Sequence, residues 1–285
     1  MSQPFIYAFA AMLCYGVSDF VYKRAAAAAV RSDHFLMVQA WLFFPLVIVY
    51  AFATHRLILE PAALWGALAG IGSFTGFYYF SRSLSAGLVS INASIFRMNF
   101  IVTVFLVIAF LGEPLTLRKL AGLALALLAT WLLVGSGASD DRTAKAARVR
   151  SLVQVAFATL AFGASNFFHT VGLRHGAVPE TLAVAQTAVF MPLATAVVYV
   201  GHRELRPPPV TFRYSIIAAI LLLSATILML RGVAAGQASV LVPIAQMGFI
   251  VAALLGIFML REPLTGRKAI GLILALSALA VLVVS

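Results

Sequence analysis

Long apolar runs separated by short polar breaks extend along the whole chain. A hydrocarbon core about 30 Å thick needs roughly 20 helical residues to cross it. Ten segments of about that length fall at 3–24, 35–54, 62–84, 88–111, 117–135, 151–173, 181–200, 212–235, 238–260 and 267–284. Each should be an α-helix, because a helix satisfies its own backbone hydrogen bonds where no water can. Only "SAGLVS" divides the third segment from the fourth, and only "AAGQAS" the eighth from the ninth, so each pair should form a tight helical hairpin. The longest polar stretch, "SGASDDRTAKAARVR" (Ser136–Arg150), falls halfway along and reads as a solvated linker.

The two sides of that linker repeat each other. At an offset of 149, Arg82–Val134 lies over Arg231–Val283 without a gap, and 26 of the 53 positions are identical. The string E-P-L-T-x-R-K accordingly occurs twice, at Glu113–Lys119 and at Glu262–Lys268. Earlier spans match at an offset of 147: "YGVSDF" (Tyr15–Phe20) lies over "FGASNF" (Phe162–Phe167), and Gln39, Phe43 and Pro45 lie over Gln186, Phe190 and Pro192. Residues 1–135 and 151–285 are therefore read as two copies of a five-helix unit joined by residues 136–150. Five is odd, so the second copy should cross the membrane upside down relative to the first. Inverted repeats of this kind are a recurrent plan of secondary transporters, with substrate held near the midplane between the halves. The E-P-L-T-x-R-K string itself reads as a turn. Pro114 and Pro263 stop one span, Thr116 and Thr265 cap the next, the Arg-Lys pair sits at headgroup level, and Glu113 and Glu262 pair with nearby basic residues.

Composition fixes the solvent. Hydrophobic residues make up 63% of the 285 positions and charged residues 10%, with a mean hydropathy of +1.04. That is too little polar surface to clothe a water-facing globule, so the partner of the outer surface is a lipid bilayer. The net charge of +11 comes from basic residues scattered in ones and twos, with no basic stripe that would read nucleic acid. Fourteen of them lie in loops after odd-numbered spans and five in loops after even-numbered ones. The positive-inside rule then puts the odd loops in the cytoplasm and both termini outside. A lone Cys14 and five histidines without ligand spacing give no metal site, and no G-x-x-x-x-G-K-[ST] string is present, so no cofactor is expected. No cluster of acids, histidines or cysteines supports an enzyme. The N-terminus lacks a basic leader and reads as a retained first span.

Ionisable groups at membrane depth are costly and mark function by default. Arg97, mid-way along the fourth span, is the strongest such signal; its repeat counterpart is Gln246. Asp19 lies near the end of the first span, over Asn166, with Lys23 one turn on as a local partner and His169 one turn beyond Asn166. With the termini outside, Asp19 and Arg97 fall at depths about 6 Å apart at 1.5 Å per residue. They are expected to pair and to close the inner side of an empty cavity. Tyr78, Tyr79 and Asn99 are further candidates for the cavity wall. Gln39 and Gln186 each precede a span proline by six residues, and Pro45 and Pro192 make the second span of each half a candidate gate. Gly122 and Gly271 mark the fifth and tenth spans as packing or dimer-contact helices.

Ten spans, a 5+5 inverted duplication and an "LGEP" or "LREP" turn before the last span of each half resemble the drug/metabolite transporter superfamily, and within it the EamA-type bacterial exporters. The closest functional analogy is with YddG-type amino-acid exporters. The resemblance implies an all-α, multi-pass protein of the bacterial cytoplasmic (inner) membrane, monomeric or homodimeric, that exports small metabolites by alternating access around a central cavity. One buried arginine, one acid and several aromatics suit a small zwitterion such as an amino acid. The resemblance also implies cytoplasmic termini, against the charge count.

Overall fold

Among the described residues seven helical stretches are long and apolar enough to cross a membrane, and their outer faces carry exposed apolar side chains such as Val153, Val200 and Phe258. The computed structural model describes residues 2–58, 60–84, 92, 95–134, 145–203, 205–261 and 264–284, and among these there is no strand. The helices are α1 (Gln3–Ala27), α2 (Ser32–Ala53), α3 (Leu64–Leu84), α4 (Asn99–Leu111), α5 (Leu117–Val134), α6 (Lys145–Arg174), α7 (Pro179–His202), α8 (Pro209–Ala234), α9 (Ala238–Gln246), α10 (Phe249–Leu260) and α11 (Gly266–Val283). Below, the face where α1, α3 and α7 end is the odd face, and the face where α2, α6 and α8 end is the even face.

Two expected spans are interrupted. The ninth is split into α9 and α10, and the fourth turns at Met98 before α4 begins. No proline or glycine marks the break at Met98; apolar residues continue on both sides of Arg97 and Asn99, so hydropathy reads a single span. The sixth span also begins early: Lys145–Arg150, expected in the linker, are helical and belong to α6. The "AAGQAS" break does form the tight turn between α8 and α9. The "SAGLVS" break, linker residues 136–144, and Glu262 and Pro263 lie outside the described residues.

The main packing partners of most helices belong to the other half of the chain. α3 lies against α6 as α1 lies against α8; α4 meets α6 as α9 and α10 meet α1; α3 meets α7 as α2 meets α8. α2 with α7, and α5 with α11, pair across the middle. Glycines permit two equivalent crossings. A Cβ on Gly16 would sit 2.4 Å from the Gly248 carbonyl oxygen, and one on its counterpart Gly163 would sit 2.7 Å from the Asn99 carbonyl oxygen. Gly122 and Gly271 face Leu282 and Leu133, so these small residues pack α5 onto α11 within one chain.

Each copy of the repeated E-P-L-T-x-R-K string caps the helix that follows it and bonds to the other half. Thr116 and Thr265 cap α5 and α11, their Oγ1 atoms accepting from the Lys119 and Lys268 N–H groups at 3.2 and 3.3 Å. Arg118 donates to the Val284 carbonyl at the end of α11, and Arg267 to the Trp131 carbonyl near the end of α5. Lys119 departs from its expected headgroup position. It is 1% exposed and donates to the Pro114 carbonyl, Gln237 Oε1 and Ser239 Oγ. Glu113 pairs with Arg174 of α6 at 3.0 Å. It also accepts the Ala238 and Ser239 N–H groups at 3.0 and 2.8 Å, which caps the N-terminus of α9.

Candidate functional site

The interrupted spans place the polar groups. Met98 N–H donates to the Ile95 carbonyl at 3.0 Å and Ile101 N–H to the Met98 carbonyl at 2.9 Å. The same two three-residue bonds recur 149 positions later, from Met247 to Ile244 at 3.1 Å and from Ile250 to Met247 at 3.0 Å. A tightened turn inside a helix commonly marks a functional position. The residues just before the two turns, Arg97 and Gln246, line one cavity.

Three adjoining cavities share Leu36 and Phe77 in their walls. The deepest, about 110 Å³, is bordered by Gln39, Ser73, Asn166, His169 and Gln186. The middle one, about 330 Å³, is bordered by Asp19, Tyr22, Phe96, Arg97, Asn99 and Gln246. The outer one, about 810 Å³, lies between the start of α2 and the ends of α3 and α7, at Asp33, Arg82 and Gly201. The chamber therefore opens to the odd face and narrows toward mid-depth.

Arg97 Nη2 stands 2.5 Å from Asp19 Oδ2, and the two side chains keep 26% and 23% of their surface exposed. An arginine at membrane depth costs about 3 kcal/mol on insertion scales; a carboxylate in contact offsets that cost while the open chamber keeps both groups within reach of a ligand. Asp19 thus meets Arg97 from another span. Ala26, Val30 and Ser32 extend the same cavity toward the odd end, so the pair stands in its wall and does not close that side.

The remaining candidates divide. Asn166 Nδ2 lies 3.5 Å from Asn99 Oδ1, and Asn99 Nδ2 donates to the Phe96 carbonyl at 2.8 Å. His169, 3% exposed, borders the deep cavity. Tyr22, which the sequence reading passed over, donates to Gln39 Oε1 at 2.5 Å, and Gln186 donates to Ser73 Oγ at 3.2 Å. Pro45 and Pro192 lie inside α2 and α7, which run through them. Tyr78 borders the outer cavity and its hydroxyl accepts from Arg82 at 2.9 Å. Tyr79 borders none of the three cavities and packs edge-on against Phe157, since neighbouring residues on a helix point about 100° apart.

Toward the even face, none of the three cavities is bordered by Glu180 or Arg231. Glu180, fully buried in the first turn of α7, accepts from Arg231 of α8 at 2.6 Å, and Arg231 also donates to the Tyr50 hydroxyl at 2.9 Å. Thr181 Oγ1 donates to the Arg56 carbonyl and accepts from the Ile58 N–H beside them. Sequence reading missed this pair because both residues sit at span ends, where charges are ordinary; only their lying in equivalent first and last turns signals it.

These features define a multi-pass helical membrane protein made of two similar halves around a polar chamber. The model of the EamA-like transporter family matches residues 3–135 and again 150–284, and the chain belongs to that family. A solved structure, titled only as the crystal structure of a protein, aligns over 99% of this chain and 98% of its own with a TM-score of 0.76. At 17% identity it is a likeness of fold. A comparison with curated proteins finds no match.

Proposed function

We propose that this chain is a secondary transporter exporting amino acids or similar small metabolites by alternating access, with ten spans in two inverted five-helix halves. The exchange-related packing of the halves and the odd number of spans in each support the inverted arrangement. The Asp19–Arg97 pair in the chamber wall carries the substrate assignment. A substrate carboxylate competes for the guanidinium, its ammonium recruits Asp19, and the aromatic wall of Phe77, Phe96 and Phe162 takes the apolar remainder. Such exchange leaves no charge unpaired at any stage, which keeps the barrier low. Under the charge bias the odd face is cytoplasmic, and the chamber as seen faces the donor side for export.

The experiment is counterflow of labelled amino acids in proteoliposomes, beside a screen of lipophilic cations. Saturable amino-acid exchange is the expected result. Flux of lipophilic cations without amino-acid flux assigns the other branch of the superfamily.

A further inference from the structure

The two faces of the chamber differ in state although the residues bordering them are repeats of each other. Glu180 and Arg231, in contact on the even face, occupy the first turn of α7 and the last turn of α8. Their counterparts at offsets of 147 and 149 are Asp33, in the first turn of α2, and Arg82, in the last turn of α3. Acid and base thus stand at the same two helix positions on each face. Their aromatic neighbours are not repeated: Tyr50 lies over Val197 and Tyr78 over Ile227. The charges recur where their surroundings have diverged.

On the odd face the acid and the base border the outer cavity from different helices. Arg82 donates to Tyr78 at 2.9 Å and lies 5.6 Å from its ring centroid. Asp33 accepts from Arg31 at 3.0 Å and from the His34 N–H at 2.8 Å. On the even face α7 and α8 are packed together, whereas on the odd face the start of α2 and the end of α3 flank the open mouth.

We propose that Asp33 and Arg82 are the odd-face latch, equivalent to Glu180–Arg231, and that the two latches are made in alternation as the chamber changes face. The inference rests on the alternating-access reading. Closing the mouth brings α2 and α3 into the relation that α7 and α8 have now, exchanging the Tyr78 and Arg31 contacts of the open state for a buried Asp33–Arg82 pair. Opening the even face exposes Glu180 and Arg231 to water. One pair is gained as the other is lost, so the two states stay close in free energy and substrate binding can tip them. A pair is strongest on whichever face is shut, because burial lowers the local dielectric.

The test reads conformation directly. In a Cys14→Ser background, Ser81→Cys at the mouth is labelled with a maleimide in lipid nanodiscs, where both faces are reachable. Glu180→Gln weakens the even latch and should slow labelling by about threefold or more as the odd mouth closes. Asp33→Asn or Arg82→Gln added to it should restore the fast rate. A separate pair of variants guards against misfolding at the buried Glu180: Asp33→Arg and Arg82→Asp each slow counterflow about tenfold, and the double charge exchange recovers most of it. Labelling that ignores Asp33 and Arg82, or a double exchange no better than either single change, overturns the latch. Labelling needs no substrate: a normal labelling response without amino-acid flux refutes the substrate assignment and leaves the latch standing.

Discussion

Arg97 of the fourth span and Asp19 of the first, 78 positions apart in the chain, meet at 2.5 Å in the wall of the chamber. Replacing Arg97 with Ala should lower counterflow of carboxylated substrates about 100-fold or more, since losing one partner of a charged contact costs about 3 kcal/mol. Arg97→Lys should rescue it poorly, because an ammonium cannot offer a two-pronged contact. Asp19→Asn, which copies Asn166 of the other half, should be milder. Equal transport by Arg97→Lys and the parent would remove the bidentate contact from the mechanism.

α2 and α7 each carry a proline inside the helix. A proline frees the carbonyl four residues earlier and weakens the helix at that point. Pro45→Ala and Pro192→Ala are therefore expected to slow counterflow while substrate affinity, measured by binding to the purified protein, stays near the parent value. Unchanged rates in both variants would make these prolines ordinary packing residues.

Glu113 is 5% exposed and joins Arg174 to the first N–H groups of α9. Glu113→Gln keeps the shape and removes the charge, so the pair and the cap both weaken. A loss of about 2 kcal/mol is expected, on the scale of a hydrogen bond to a charged group, read as a lower Tm in detergent. A Tm equal to the parent's would show that the buried carboxylate contributes nothing net.

Two glycine crossings hold the interrupted spans against α1 and α6. A methyl group on Gly16 would stand 2.4 Å from the Gly248 carbonyl oxygen and one on Gly163 would stand 2.5 Å from Val102 Cβ. Gly16→Ala and Gly163→Ala should each cost about 1–3 kcal/mol as overpacked contacts. Gly201, with nothing within 4 Å of its added Cβ, is the control. Gly201→Ala should hold or slightly raise Tm, because alanine is the better helix former.

Orientation is open to a direct measurement. The charge bias predicts that a reporter active only in the cytoplasm is silent when fused after α11 and active when placed at the break between α1 and α2. The opposite pattern would turn the molecule over, and the chamber would then open away from the cytoplasm.

Sequence by itself determined the helical, lipid-facing class and the duplication, because hydropathy and repetition are properties of position along a chain. It also singled out Arg97 and Asp19, since any charge within an apolar run stands out. What it could not supply was orientation around each helix axis and the local tightening of two spans. Neither "FRMNF" nor "AQMGF" carries a proline and apolar residues continue on both sides of each, yet the backbone turns at Met98 and Met247 alike. Tyr78 and Tyr79 look equivalent in sequence, and only packing decided that one borders the chamber while the other rests on Phe157. Lys119 and Glu113 sit in a loop-like string, so exposure was the natural reading. Both are buried because the N-terminus of α9 arrives from the other half with unsatisfied N–H groups for Glu113 to accept and with Gln237 and Ser239 for Lys119 to meet. Contacts between halves join residues far apart in the chain, 61 positions for Glu113 and Arg174 and 125 for Glu113 and Ala238, and no local pattern records which of them will meet.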